Sequence, residues 1–274
     1  MAVIAFYPHP LRPEAAALAE RAAAWLAEQG HKGVLVPGSD GPGPVEGADL
    51  LVSLGGDGTL LRSVDAALAA GIPLLGVNVG RLGYLTQVEP PDLEEALARF
   101  LDGSHHVEER MTLSVTVTGP DGKERTRRTA LNEATVEKTV PGHTVRVATS
   151  IDGRPFVIYA ADGLLVATPT GSTAYNLSAR GPLLSPGLRS IVVTPVSPHM
   201  LFDRPLVLDP TQHLRLEVLE PRAAVLVVDG VTVGQLEPGT AVDCREGEQP
   251  ARLVTFGGRD FHAILRAKFH LADR

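Results

Sequence analysis

Cysteine occurs once in the 274 residues, at Cys244. An internal disulfide is therefore impossible, and so is a Cys-clustered zinc or iron–sulfur site. A single thiol of this kind is expected to be a buried small hydrophobe. No apolar run approaches the ~18 residues that a spanning helix needs. The opening MAVIAFYPHP is too short for a signal peptide and lacks its basic lead, so a cytoplasmic protein is expected. Positive charge is in deficit: 25 Lys plus Arg against 32 Asp plus Glu give a net charge of −7. That balance does not suit a protein that coats nucleic acid or an anionic membrane. Anionic small molecules stay open, because local backbone dipoles and a few side chains suffice to hold them. Lysine (4) and asparagine (3) are scarce beside 21 Arg and 22 Pro, which fits a thermophile or a GC-rich genome. Two nucleotide motifs are also missing: a G-x-x-x-x-G-K-[ST] P-loop, and a G-x-G-x-x-G opening a helix after the first strand.

What remains is an ordinary globular composition, 44% apolar and 21% charged in 28.9 kDa, enough for one large or two modest domains. Up to about residue 101 the pattern alternates strand and helix. Apolar runs at 2–7, 33–36, 49–54 and 73–77 read as strands, and 13–30, 59–70 and 92–101 carry helical periodicity. The segment 37–47, with four Gly and three Pro, reads as a loop. This rhythm predicts a parallel sheet covered by helices. Beyond Gly103 short strands take over, at 112–118, 144–150, 155–160, 164–168, 191–194, 213–219, 224–228, 241–245 and 252–256. Turns are expected at 120–122 and 151–153. The expected fold is a Rossmann-like parallel α/β domain over 1–103, a β-sandwich-like domain over 104–257, and an amphipathic helix, 259–269, within a terminal segment 258–274.

Ser53-Leu-Gly-Gly-Asp-Gly-Thr59 holds the strongest local signal. It lies between a buried strand and a helix, at the carboxyl end of a parallel strand, where open α/β sheets bind ligands. Gly55, Gly56 and Gly58 let the backbone approach a phosphate, and the loop N–H groups with Thr59 behind them supply partial positive charge. Asp57 repels a phosphate there, unless it accepts a proton from an attacking hydroxyl or helps hold Mg²⁺. The plainer alternative is that Asp57 and Thr59 cap the following helix. Asn132-Glu133 interrupts a β-like segment and suits a base edge and ribose hydroxyls, or simply an outward strand face. Asp162-Gly163, followed by the hydroxyl-rich Thr168–Ser178, reads as a loop feeding a helix N-terminus, with Tyr175 able to stack on a base or to pack in a core. Ser172 with His199 is a weak hydrolase pair, because the G-x-S-x-G elbow is absent. His105-His106 reads as a solvated pair in a loop.

In order, GGDGT (55–59), GVNVGRLGYL (76–85), LNE (131–133), DGLLVATPTGSTAYNLSARGPLL (162–184) and TPVSPHMLFDRPLVL (194–208) resemble the bacterial NAD kinases over about residues 50–230. GGDGT is shared with lipid kinases, whereas the Asn-Glu pair with the PTGSTAY block is far more specific. The resemblance implies phosphorylation of the adenosine ribose 2′-hydroxyl of NAD to give NADP. The implied donor is ATP or polyphosphate with a divalent metal, expected to be Mg²⁺, acting in a homodimer or homotetramer with NAD between an α/β and a β-rich domain. It also implies that the last helix packs back on the first domain. Carried over by position, Asp57 is the proton acceptor, with Gly58 beside it at the substrate. Asn132 and Glu133 hold NAD, and Asp162 sits at its nicotinamide end. Thr173, Ala174, Tyr175, Asn176, Leu177 and Ser178 line the pocket, and Ser197 touches the ligand. This chain departs from the family at Ala160, where many members are basic, at Val231, where many have Gln, and at Tyr84 in place of Phe. A small-alcohol or lipid kinase and a non-catalytic NAD(P)-binding regulator are the competing readings.

Overall fold

The computed structural model describes residues 1–38, 41, 43, 45–80, 83–257 and 261–270. Parts of the expected features fall outside these: 39, 40, 42 and 44 of the loop at 37–47, Arg81 and Leu82 of GVNVGRLGYL, and 258–260 and 271–274 of the terminal segment. In chain order the elements are β1 (Val3–Pro8), α1 (Pro13–Glu28), β2 (Lys32–Leu35), β3 (Leu50–Gly55), α2 (Asp57–Ala70), β4 (Leu74–Asn78), α3 (Leu93–Leu101) and β5 (His106–Arg110). Strands β6 (Leu113–Thr118), β7 (Glu124–Ala130), β8 (Glu133–Lys138), β9 (Val145–Ile151), β10 (Arg154–Ala161) and β11 (Gly163–Ala167) follow, then the short α4 (Tyr175–Ser178). The chain continues through β12 (Ile191–Val196), β13 (Leu206–Leu208), β14 (Leu214–Val218), β15 (Ala224–Val228), β16 (Val231–Leu236), β17 (Ala241–Glu246) and β18 (Ala251–Thr255) to α5 (Phe261–Phe269).

Two compact units form: Met1–Arg110 with Ala251–Arg274, and Met111–Pro250. In the first unit the sheet order is β2-β1-β3-β4-β18-β5, parallel throughout except for β5, which runs antiparallel to β18. Helices cover the sheet, so β3 and β4 are buried along their whole length and read as unbroken apolar runs. Pro13 starts α1, whose buried Ala15, Leu18, Ala19, Ala22 and Leu26 form the stripe that meets the sheet. Gly33 permits that closeness, because a Cβ there would strike Ala23 of the helix. Gly71, at φ 64, ends α2 in the left-handed conformation that favours glycine.

The second unit is a pair of six-stranded sheets, β10-β9-β14-β17-β6-β7 and β13-β12-β11-β8-β15-β16. Strict alternation in β6, β14 and β15 sends one set of side chains into a shared core that includes Val115, Leu216, Leu226 and Cys244. Strands β11 and β12 are apolar on both faces because their second face is covered as well, around Leu165, Ala167 and Val192. The expected turn at 151–153 is a tight hairpin in which Asp152 and Gly153 both have positive φ.

The chain crosses between units at 110/111 and 250/251, not at the expected 103/104 and 257/258. Strand β18 was legible as a strand, but it joins the first sheet, where Leu253 pairs with Leu74 and Val254 enters the first core. Its partner β5 contains His106, so the second His of the expected loop pair lies in a strand. Local pattern marks a strand without naming its sheet, and β5 (HVEER) is an edge strand with little apolar signal. Strands β7, β13 and β16 also escaped the pattern, because each is an edge strand with a single buried residue and so shows no apolar alternation. Helix α5 belongs to the first unit, with Lys268 Nζ 4.3 Å above the Tyr84 ring.

Candidate active site

In the first unit, Gly55 closes β3, Gly56 precedes α2 with extended backbone, and Asp57 is the first helical residue, two positions earlier than expected. Asp57 does not cap its own helix. Its Oδ2 accepts the N–H of Tyr84 at 2.8 Å and its Oδ1 that of Leu85 at 3.0 Å, so the side chain ties the helix start to the GYL segment. Glycine makes this approach possible: a Cβ at Gly83 would fall on Asp57 Oδ1, and one at Gly55 on the buried Thr59 side chain. A carboxylate offers about four acceptor sites, so each oxygen keeps capacity for another partner. Gly58 is exposed beside it.

Basic groups gather at the same carboxyl edge of the sheet. The His9 N–H donates to Leu54 O at 2.9 Å, and the Arg12 guanidinium donates to Val79 O. Burial and the positive charges of Arg12 and Arg62 hold the His9 imidazole below its ordinary pKa. No sequence motif marks these three residues. Their signal is positional, since His9 and Arg12 follow β1 and Arg62 lies in the second turn of α2. Among the described residues no group of three or more His, Cys, Asp or Glu could hold a metal. The Asp57 carboxylate is a hard oxygen donor of the kind that suits a Mg²⁺ keeping most of its waters.

In the second unit the expected residues come together on one sheet. Asn132 and Glu133 are buried at the head of β8. The Thr168 N–H donates to Asn132 O at 2.9 Å, Thr168 Oγ1 donates to Leu131 O at 2.5 Å, and a Cβ at Gly171 would fall on Asn132 O. The hydroxyl-rich loop is therefore seated on LNE. The Tyr175 backbone N–H lies near enough to the Glu133 carboxylate to favour its charged form, against the larger effect of burial. Glu133, Thr135 and Glu137 alternate along one face of β8, and Thr135 Oγ1 donates to Glu137 Oε1 at 2.9 Å. Burial, then the negative charge of Asp229, push the Glu133 carboxyl up to about 8. The pKa of the half-exposed Tyr175 hydroxyl is raised by burial first, then by the negative charges of Glu137, Asp162 and Glu133.

Asp162 is ion-paired, with Lys138 Nζ 2.6 Å from its Oδ1. Ser197 follows β12 in a positive-φ turn and is exposed, while the Asp162 N–H bonds Val196 O, so Ser197 lies beside Asp162. Within 173–178, Thr173, Ala174 and Leu177 are half-buried and Ser178 is exposed. The Asn176 amide is spent within the protein: it donates to Pro182 O at 3.0 Å and accepts from the Thr194 hydroxyl of β12 at 2.7 Å. Ser172 is fully buried, and its Oγ bonds both N and O of Leu184, so it is no hydrolytic nucleophile. No sequence motif marks Asp229, Lys138, Thr135 or Glu137 as part of the site. The alternating polar positions of EATVEK were the available signal for the last two.

A carboxylate at a glycine bend on the carboxyl edge of a parallel sheet, in one chain with a hydroxyl-rich loop seated on an Asn-Glu pair, equips a nucleotide phosphotransferase. Residues 44–105 match the family model described as the ATP-NAD kinase N-terminal domain, and 131–256 match that of the ATP-NAD kinase C-terminal domain. The chain belongs to the NAD kinase family. It is 45% identical over 221 residues to an NAD kinase of Heliobacterium modesticaldum, covering 80% of this chain and 78% of the relative. It is 42% identical to NAD kinase 2 of Streptomyces coelicolor, covering 84% and 76% respectively. Among solved structures, an NAD kinase from Archaeoglobus fulgidus in complex with ATP superposes with a TM-score of 0.76 at 26% identity, over the full length of both chains. Yeast NADH kinase complexed with NADH superposes at 0.89, covering all of this chain and 89% of that one; at 23% identity this likeness bears on the fold alone.

Proposed function

We propose that the protein transfers the terminal phosphoryl group of ATP, with polyphosphate as an alternative donor, to the 2′-hydroxyl of the adenosine ribose of NAD, giving NADP. The observation that carries this reading is the Asp57 carboxylate, held by two backbone N–H groups outside its own helix and keeping acceptor capacity. Asn132 and Glu133 hold the adenosine half of NAD, Tyr175 stacks against a ring, and Asp162 with Ser197 serves the nicotinamide end. Residues 173–178 line the pocket, with Asn176 contributing backbone. The loop 55–59 and the N-terminus of α2 receive donor phosphate, aided by Arg12 and Arg62.

Phosphoryl transfer depends on positioning and on neutralising charge. A carboxylate is a weak base toward a sugar hydroxyl. Asp57 therefore orients the hydroxyl and takes its proton late, as attack makes it acidic, a contribution of about 10²–10⁴-fold. A divalent cation, when bound, neutralises charge on the transferring phosphate. The protein works as a homodimer or homotetramer in the cytoplasm. The test is direct: protein, NAD and Mg·ATP or Mg·polyphosphate are mixed, and NADP is read with a dehydrogenase that accepts only NADP. NADP formation dependent on the donor supports the reading. Tight dinucleotide binding without NADP or ADP would replace it with a binding protein.

A further inference from the structure

The Asp-Gly pair at 229–230 joins β15 to β16, and both residues have positive φ, 46° and 79°. A hairpin turn alone explains that pair. It does not explain where the Asp229 side chain goes. Its Oδ2 accepts the N–H of Leu131 at 2.7 Å, and its Oδ1 accepts those of Asn132 at 2.9 Å and Glu133 at 3.0 Å. The Asp229 N–H in turn donates to Glu133 O at 3.0 Å. One carboxylate thus gathers three consecutive backbone donors from a segment almost a hundred residues away in sequence. The other side of that segment is held by Thr168 and by the close approach of Gly171.

The Asn132–Glu133 backbone is fixed from both sides, and with it the origin of both side chains. Asp229 does more than a neutral acceptor would, because its charge lies against the buried Glu133 carboxyl, whose Oε2 has no hydrogen-bond partner. The other polar or charged groups facing this corner are Tyr175, from α4, and the Glu137, Lys138 and Asp162 cluster along β8 and the β10–β11 junction. Lys138 is engaged by Asp162.

We infer that Asp229 is a positioning residue for NAD: its carboxylate clamps the Asn132–Glu133 backbone and so fixes the origin of both side chains. The inference rests on the reading that Asn132 and Glu133 hold NAD. Burial and the Asp229 charge push the Glu133 carboxyl up to about 8, so NAD affinity falls as pH rises through that region, where an ionised Glu133 beside Asp229 adds negative charge next to an anionic ligand.

The test measures KM for NAD, KM for ATP and kcat across pH for four variants. In Asp229→Asn the amide keeps one acceptor oxygen and turns an N–H₂ group toward a donor. KM for NAD rises at least about tenfold, kcat at saturating NAD stays within about threefold, and KM for ATP does not move. The pH midpoint of KM for NAD shifts downward, because the charge that raised the Glu133 pKa is gone. Asp229→Gly preserves the turn, since glycine takes the positive φ freely, and should share the raised KM. A turn-only role predicts wild-type kinetics for it. If Asp229→Asn does not fold, Glu133→Gln with Asp229 intact must abolish the pH midpoint. Wild-type KM in the Asp229→Gly variant, or a midpoint that persists in Glu133→Gln, overturns the inference. Asn132→Ala distinguishes the two levels. If it and Glu133→Gln both leave KM for NAD unchanged, the site assignment falls and this inference with it. If both raise KM while the Asp229 variants do not, only the inference falls.

Discussion

Replacing Asp57 by Asn changes one oxygen for a nitrogen and separates chemistry from scaffolding. The carboxylate accepts two N–H groups, at 2.8 and 3.0 Å, whereas an amide can accept only through its single oxygen. One donor, Tyr84 or Leu85, then loses its acceptor. For a half-buried group this costs the low end of the usual range, about 1 kcal/mol, equivalent to roughly 2–4 °C in melting temperature for a chain of this size. Loss of a proton acceptor costs at least ~10² in turnover, which is about 2.7 kcal/mol of barrier. The kinetic effect therefore exceeds the structural one by enough to be read independently. The assay follows NADP formed from NAD and Mg·ATP, with circular dichroism melting and NAD binding measured on the same samples. A folded Asp57→Asn protein that binds NAD and keeps wild-type turnover would refute the reasoning, and would leave Asp57 as a tie between α2 and the 84–85 segment.

Gly83→Ala places a methyl group on Asp57 Oδ1; steady-state kinetics should show turnover reduced at least ~10-fold, while a distant control such as Gly187→Ala, in open space, leaves it unchanged. Thr168→Val removes a buried hydroxyl that donates to Leu131 O at 2.5 Å and accepts from Gly171 N at 3.1 Å. Chemical denaturation should show a loss of about 1–3 kcal/mol together with a higher KM for NAD. Glu133 binds its proton more tightly folded than unfolded, since its pKa rises from 4.5 to about 8. Its contribution to stability is accordingly fullest below pH ~4.5 and is lost as pH rises through about 8. Glu133→Gln should flatten the stability profile across that window and be the more stable protein above it, by at most roughly 5 kcal/mol, as read from urea melts at a series of pH values.

Much of the architecture is legible in the chain because it is written in local chemistry. The apolar runs of β3 and β4, the stripe of α1 started by Pro13, the glycine stop at Gly71 and the Asp-Gly hairpin at 152–153 each follow from the physics of a few neighbouring residues. So does the buried state of Cys244, whose thiol burial pushes to a higher pKa. The motifs are legible for the same reason, since a glycine bend with a carboxylate or an Asn-Glu step is conspicuous against apolar filler. The starting residue of α2 was less so. Asp57 looked suited to capping, and its place inside the helix depends on donors at Tyr84 and Leu85.

The sequence by itself determined the βαβ grammar of the first hundred residues, the strand-rich remainder, and the two motif clusters, because period, turn chemistry and composition act over short separations. Only the tertiary structure decided which sheet β18 joins, what the Asp57 and Asp229 carboxylates hold, and that the hydroxyl-rich loop is seated on Leu131 and Asn132. Those outcomes depend on hydrogen bonds and strand pairs between residues tens to well over a hundred positions apart, whose free energy exists only once the chain has closed the loops between them.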